Sequence, residues 1–229
     1  MNSLTLQRLV VVVPTRNEEK NIRTLLKRIP KDLATDTKIV VIDKSLDRTA
    51  MIAKEEGALV LPQSNGGLGT AFRQGIEEGL RLDADALAHI DADMQYDPNQ
   101  MRLLLQPIIE GKADMVLGQR IVQYRMPRIN RVGNKLFSLL VSALSGVKIS
   151  DAQTGYRVLS RRAMKTLLAI RGDHTYTQES ILVASKRGLR IKEVPITFRK
   201  RDHGRSFINL VRYPILVLVI LITAYVREL

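Results

Sequence analysis

The 229-residue chain has no cysteine and no tryptophan. The lack of cysteine excludes a disulfide scaffold, a thiolate metal site and a cysteine nucleophile. It also fits a reducing, cytosol-facing setting. Aromatic residues make up 4% of the chain, too few for stacked-base platforms on single-stranded nucleic acid. Glycine has no three-residue period, so a collagen-like chain is excluded. A hydrophobic content of 45% with interspersed charge excludes a wholly disordered chain. That content suffices for one sizeable core, or for a domain with an appendage. The N-terminal stretch lacks a secretory pattern: the apolar run to Val13 gives way to Pro14, Arg16 and two glutamates. Long apolar runs are missing too. Pro214–Val226 (PILVLVILITAYV) is uncharged over thirteen residues, short of the roughly 20 that span a bilayer. With no polar face, it reads as a core helix, an interfacial helix or the start of a membrane span.

Acid is sparse where base is dense. Residues 119–150 hold six basic side chains and no acidic one. Residues 186–212 hold nine basic side chains against Glu193 and Asp202. These two stretches account for the whole net charge of +13. A field concentrated in this way suggests an anionic partner: phosphate groups, nucleic acid or an acidic membrane face.

Short apolar runs alternate with helical patterns through the first half. Leu9–Val13, Lys38–Ile42, Ala58–Leu61, Ala86–Ile90 and Asp114–Leu117 are predicted strands. Asn17–Ile29, Asp47–Glu56, Leu68–Leu82 and a segment opened by Pro98 are predicted helices. Such alternation predicts a mostly parallel sheet with helices on both faces. Arg131–Leu144 carries a helical apolar stripe behind Arg128, Arg131 and Lys135, the pattern of an amphipathic, interfacial helix. Leu189–Phe198 reads as a strand broken at Pro195.

In open α/β sheets ligands bind beyond the carboxyl ends of the strands. The first strand is followed by Pro14-Thr15-Arg16-Asn17-Glu18, the second by Asp43-Lys44-Ser45 and the fourth by Asp91-Ala92-Asp93-Met94-Gln95. Asp91 and Asp93 are close enough to repel unless a cation sits between them. Their oxygens, with Gln95, suit Mg²⁺ or Mn²⁺ that keeps waters and takes substrate phosphates. Asp43 can accept hydrogen bonds from a base or ribose, or it can cap the helix that follows. Residues 65–71 (NGGLGTA) enter a helix either as an anion cradle or as a tight turn. His89 reads as packed, and no histidine pairs with a serine nucleophile.

The segments VVVPTRNEEKNI, KIVVIDKSLDRT, NGGLGTAFRQGI, HIDADMQYDP, MVLGQR and DAQTGYRVLSRRA occur in the order seen in glycosyltransferase family 2. The chain most resembles polyprenyl-phosphate sugar transferases of the dolichyl-phosphate mannosyltransferase type. The resemblance covers roughly residues 9–210, taking in YTQESILVASKRGLRIKEVPITFRKRDHGRSF. It implies a GT-A fold over residues 1–204, followed by a membrane-interface helix or the start of a transmembrane span over 205–229. It also implies a nucleoside-diphosphate sugar donor, GDP-mannose or UDP-glucose, a divalent metal and a polyprenyl (dolichyl) phosphate acceptor at the cytoplasmic face of an anionic membrane. By the same resemblance Pro14, Thr15, Arg16, Glu18, Asp43 and Lys44 hold the donor nucleotide. Asp91, Ala92, Asp93 and Gln95 hold the metal and diphosphate. Arg120 lies near the reacting phosphates, Arg131 or Arg128 takes the acceptor phosphate, and Arg205 covers the donor. Three positions depart from the family pattern: Arg16 replaces an aromatic, Lys44 stands where an acid is usual, and Phe207 replaces a lysine.

The chemistry implied is inverting transfer. A lipid phosphate is already ionised at neutral pH and needs positioning, not a base. Arginine suits that task better than lysine because its fork grips phosphate bidentately. Two other readings stand beside this one: a sugar nucleotidyltransferase on a related fold, and a basic nucleic-acid-binding protein, which leaves the acidic strand ends unexplained.

Overall fold

A computed structural model describes residues 6–123, 128–201 and 212–228, without the side chains of 128–130 and 212–215. Its strands are β1 (Arg8–Thr15), β2 (Asp36–Asp43), β3 (Leu59–Pro62), β4 (Ala86–His89), β5 (Met115–Val122), β6 (Arg157–Ser160) and β7 (Ile191–Phe198). The helices are α1 (Ile22–Arg28), α2 (Thr49–Glu55), α3 (Leu68–Arg81), α4 (Met101–Ile109), α5 (Arg128–Ser145), α6 (Arg161–Leu167), α7 (Tyr176–Lys186) and α8 (Arg212–Arg227). The strands form one sheet in the order β3-β2-β1-β4-β6-β5-β7. Only β6 runs against its neighbours.

The valine run explains the layering. In a strand, successive side chains point to opposite faces. Leu9, Val11 and Val13 therefore join the core beneath α1, α2 and α4, while Val10 and Val12 join the core beneath α3, α6 and α7. All five are fully buried, as expected of a parallel strand covered on both faces.

Several boundaries differ from expectation. The first helix begins only at Ile22. Residues 17–19 instead lock onto the next strand's loop: the Asn17 amide donates to Ser45 Oγ, the Glu18 amide to Thr49 Oγ1, and the Leu46 amide to Asn17 Oδ1. β5 runs on to Val122, paired with β7. β7 continues through Pro195 without a break, because it is an edge strand and needs no ladder donor there. β6, α6 and α7 had no sequence expectation.

α5 and α8 both pack on α7. Val217, Leu221 and Ala224 bury one stripe of α8, and Val141 anchors α5. The opposite faces stay apolar and exposed: Val132, Leu136 and Leu139 on α5; Val219, Ile222 and Val226 on α8. Among the described residues no helix is long and apolar enough to cross a membrane.

Candidate active site

Strand register gathers the acidic clusters on one edge. Thr15 pairs with Asp43 at the carboxyl ends of β1 and β2. His89 pairs with Val12 on one side and Arg157 on the other, which sets Asp91 two residues beyond the end of β4 on the same edge. Leu117 also pairs with Arg157, so Arg120, three residues on, rises at that edge too.

Asp43 does not cap the second helix. Asp47, just before that helix, instead accepts the Thr49 amide at 3.0 Å. Asp43 instead takes hydroxyl hydrogen bonds from Thr15 (2.7 Å) and Ser45 (2.6 Å). Lys44 is exposed and donates through Nζ to the Gly66 carbonyl (2.9 Å). Pro14 is buried within the strand, whereas Arg16 is exposed. Glu18 reaches toward the centre. Burial raises its carboxyl above the usual range, the Asn21 amide at 2.7 Å opposes this, and nearby Asp93 adds to the rise.

Asp91 and Asp93 carry the strongest electrostatic conflict. Burial and the adjacent Asp93 carboxylate push Asp91 up to about 7, against the pull of Arg201, Arg120 and Arg157. The Asp91 carboxylate lies against the backbone of Gly155, where a Cβ would fall 2.3 Å from Oδ2. Asp93 accepts the Gln95 amide at 3.1 Å and pairs with the Arg201 guanidinium, Nε at 3.1 Å. Met94 between them sits at φ 63°, a left-handed conformation uncommon outside glycine and concentrated at functional sites. Gln95 is oriented by its Nε2 bond to the Arg199 carbonyl (3.0 Å), and Ala92 is buried. Among the described residues no three His, Cys, Asp or Glu side chains form a cage. Two carboxylates and one amide fit a hard cation that keeps waters, and the conflict at Asp91 is one a cation would relieve.

Arg120 forms a bidentate pair with Asp151, 2.6 and 2.8 Å, with its guanidinium over the Phe198 ring. It faces a cleft of about 370 Å³ that Arg131, Asn134 and Lys135 of α5 also line. At Lys135 and Ser150 the cleft adjoins a groove of about 730 Å³ along α5, lined by Leu139, Ala143, Val147 and Ile149. The Arg128 side chain and all of Arg205 lie outside the described residues.

Residues 65–71 are a turn into a helix, not an open anion cradle. Asp173 fills the start of α3, accepting the amides of Gly67 (2.5 Å) and Thr70 (3.1 Å). The fully buried Glu179 holds this loop by accepting the Gly172 amide, and it pairs with Arg227 of α8 at 2.9 Å.

Sequence reasoning assigned no role to Asp151, Gly155, Arg157 or Arg201. The first three lie in the DAQTGYR stretch. Buried Arg157 ties that stretch down by donating to the Thr154 carbonyl (2.9 Å) and to Ser180 Oγ. Only the fold, which brings residue 201 back to residue 93, could single out Arg201.

A mostly parallel sheet with acidic loops on its carboxyl edge and one antiparallel strand, β6, has the architecture of the GT-A fold of glycosyltransferases. A glucosyl-3-phosphoglycerate synthase from Mycobacterium tuberculosis, crystallised with Mg²⁺ and uridine diphosphate, has the same fold. It superposes with a TM-score of 0.77 over 95% of this chain and 79% of that one, at 20% identity. The dolichyl-phosphate hexose transferase of Haloferax volcanii is 33% identical over 88% of this chain and 87% of its own. The UDP-N-acetylglucosamine–dolichyl-phosphate N-acetylglucosaminyltransferase of Methanococcus voltae is 30% identical over 81% of this chain and 83% of its own. The profile of glycosyl transferase family 2 matches residues 10–168. The chain belongs to glycosyl transferase family 2.

Proposed function

We propose that the chain transfers a hexose from a nucleoside-diphosphate sugar to a polyprenyl (dolichyl) phosphate, with inversion, at the cytoplasmic face of a membrane. The names of the relatives support a prenyl-phosphate acceptor. The observation that carries the reading is the adjacency of two cavities that share Lys135 and Ser150: a cleft lined by Arg120 and Arg131, and an apolar groove along α5. Arg120 also acts on the charge of Asp91. A phosphate head and a hydrocarbon tail need that sequence of surfaces.

In this reading Asp43, Thr15, Glu18, Arg16 and Lys44 hold the nucleotide, and Arg205 completes the donor side. Asp91, Asp93 and Gln95 would hold Mg²⁺ or Mn²⁺, which when bound offsets charge on the departing diphosphate. Arg120, fixed by Asp151, and Arg131, with Arg128, position the acceptor phosphate. An acceptor oxygen bonds to the anomeric carbon as the bond to the donor β-phosphate oxygen breaks. The diphosphate leaves with the electron pair, and no proton moves. The absence of a base requirement matches an acceptor that is ionised on arrival. The exposed apolar stripes of α5 and α8 suit insertion at the headgroup–acyl boundary, with basic side chains toward anionic lipid.

Radiolabelled-sugar transfer to a short-chain prenyl phosphate tests this. Asp93→Ala is expected to lower turnover by more than about 100-fold while leaving the thermal transition in place. Near-wild-type turnover of that variant refutes the site assignment.

A further inference from the structure

Ser150 and Asp151 form one wall of the arginine-lined cleft, and Ser150 lines the apolar groove as well. Both belong to the link between α5 and β6, outside any helix or strand, so no sheet or helix ladder fixes their amides. A single side chain does. The half-buried carboxylate of Glu193 on β7 accepts the Ser150 amide at 3.0 Å on Oε1 and 2.8 Å on Oε2, and the Asp151 amide at 2.8 Å on Oε1. Bonds from amides to an ionised carboxylate are stronger than those between neutral groups, so Glu193 clamps two consecutive peptides at once.

Asp151 in turn is filled by what it holds. Oδ1 accepts Arg120 Nη2 (2.8 Å) and the Gln153 amide (3.2 Å); Oδ2 accepts Arg120 Nε (2.6 Å) and the Arg120 amide (3.2 Å). A carboxylate has about four lone-pair sites, so this one is used up as an anchor. Strand register sets the pieces side by side: β7 runs parallel to β5, with Glu193 beside Leu117 and Ile196 beside Arg120. We infer that Glu193 is a positioning residue for sugar transfer. Through the Ser150 and Asp151 amides it fixes the Asp151 carboxylate, and through that carboxylate it orients the Arg120 guanidinium toward the acceptor phosphate. Its bonds go to the acceptor side, so its loss is felt there and not at the donor. This inference rests on the proposed acceptor cleft.

The test is a double-mutant cycle on the whole chain, read by labelled-sugar transfer to a short-chain prenyl phosphate. Glu193→Gln keeps the size of the side chain, removes its charge and turns one acceptor atom into a donor. It is expected to raise KM for the prenyl phosphate about fivefold or more. Turnover at saturating acceptor and KM for the nucleotide sugar are expected to stay within about twofold of wild type. In an Arg120→Ala background the same change is expected to move acceptor KM by less than about twofold, because a residue that acts through Arg120 has nothing left to act on. Should Glu193→Gln fail to fold, Glu193→Asp, whose carboxylate stops one methylene short of the amides, takes its place in the cycle. Equal rises in the two backgrounds, a loss carried by turnover or by donor KM, or a wild-type acceptor KM beside a raised one in Arg120→Ala overturns the role of Glu193 and leaves the acceptor cleft standing. Arg120→Ala with an unchanged acceptor KM overturns the acceptor cleft itself.

Discussion

Gly155→Ala places one methyl group against the centre of the proposed site. The backbone at residue 155 is not in the left-handed region, so alanine meets no dihedral penalty and the effect is one of contact alone. The new Cβ would lie 2.3 Å from Asp91 Oδ2, 2.9 Å from Cγ and 3.0 Å from Oδ1. Comfortable contacts lie near 3.5 Å, so Asp91 must retreat by roughly 1 Å. Turning the carboxylate gives little relief, because all three of its outer atoms are close. The glycine itself is pinned: its amide donates to Tyr96 Oη (3.0 Å), and its carbonyl accepts His89 Nδ1–H (2.8 Å). A misplacement of about 1 Å at a catalytic group costs on the order of 100-fold in rate. Overpacking of this size costs about 1–3 kcal/mol of stability. The expected outcome is a folded variant with a modestly lower Tm and kcat/KM for sugar transfer reduced about 100-fold. Nucleotide binding at Asp43 is expected to persist. A folded variant that turns over at the wild-type rate refutes the placement of Asp91 at the reacting centre.

Two further outcomes follow from other parts of the structure. Arg131→Ala is expected to raise KM for the prenyl phosphate about tenfold or more while donor affinity stays unchanged in a separate titration; equal loss of both rejects an acceptor role. His89 is fully buried against Phe72 and Tyr176, and burial lowers its pKa from 6.5 to about 4. The fold therefore favours the neutral ring. Its stabilising share is present above the unfolded value of 6.5 and is lost as pH falls toward 4, by about 1.4 kcal/mol per pH unit and about 3 kcal/mol in all. Denaturant titrations across that window are expected to show this slope in the wild type and a shallower one in His89→Gln. Equal slopes contradict it.

The sheet was legible because period and burial agree: an unbroken run such as Leu9–Val13 has few homes outside a strand covered on both faces. The acidic loops were legible because they follow such strands directly. α6, α7 and β6 were harder to read. The stretch Tyr176–Ser180 is buried although mostly polar, and such a segment shows no apolar period. The late start of α1 was hidden for a related reason. Asn17 and Glu18 suit a helix start by type, but their hydrogen bonds go to another loop. The pairing of Arg201 with Asp93 joins residues 108 positions apart, a separation that local patterns do not encode.

The most direct measurement is mass-spectrometric and NMR analysis of the product formed from a nucleotide-sugar panel and one short-chain prenyl phosphate in anionic vesicles. The expected product is a prenyl-phosphate hexose with inverted anomeric configuration, formed one-for-one with nucleoside diphosphate. A retained configuration, a sugar placed on a hydroxyl, or release of pyrophosphate from a nucleoside triphosphate would contradict the proposed reaction.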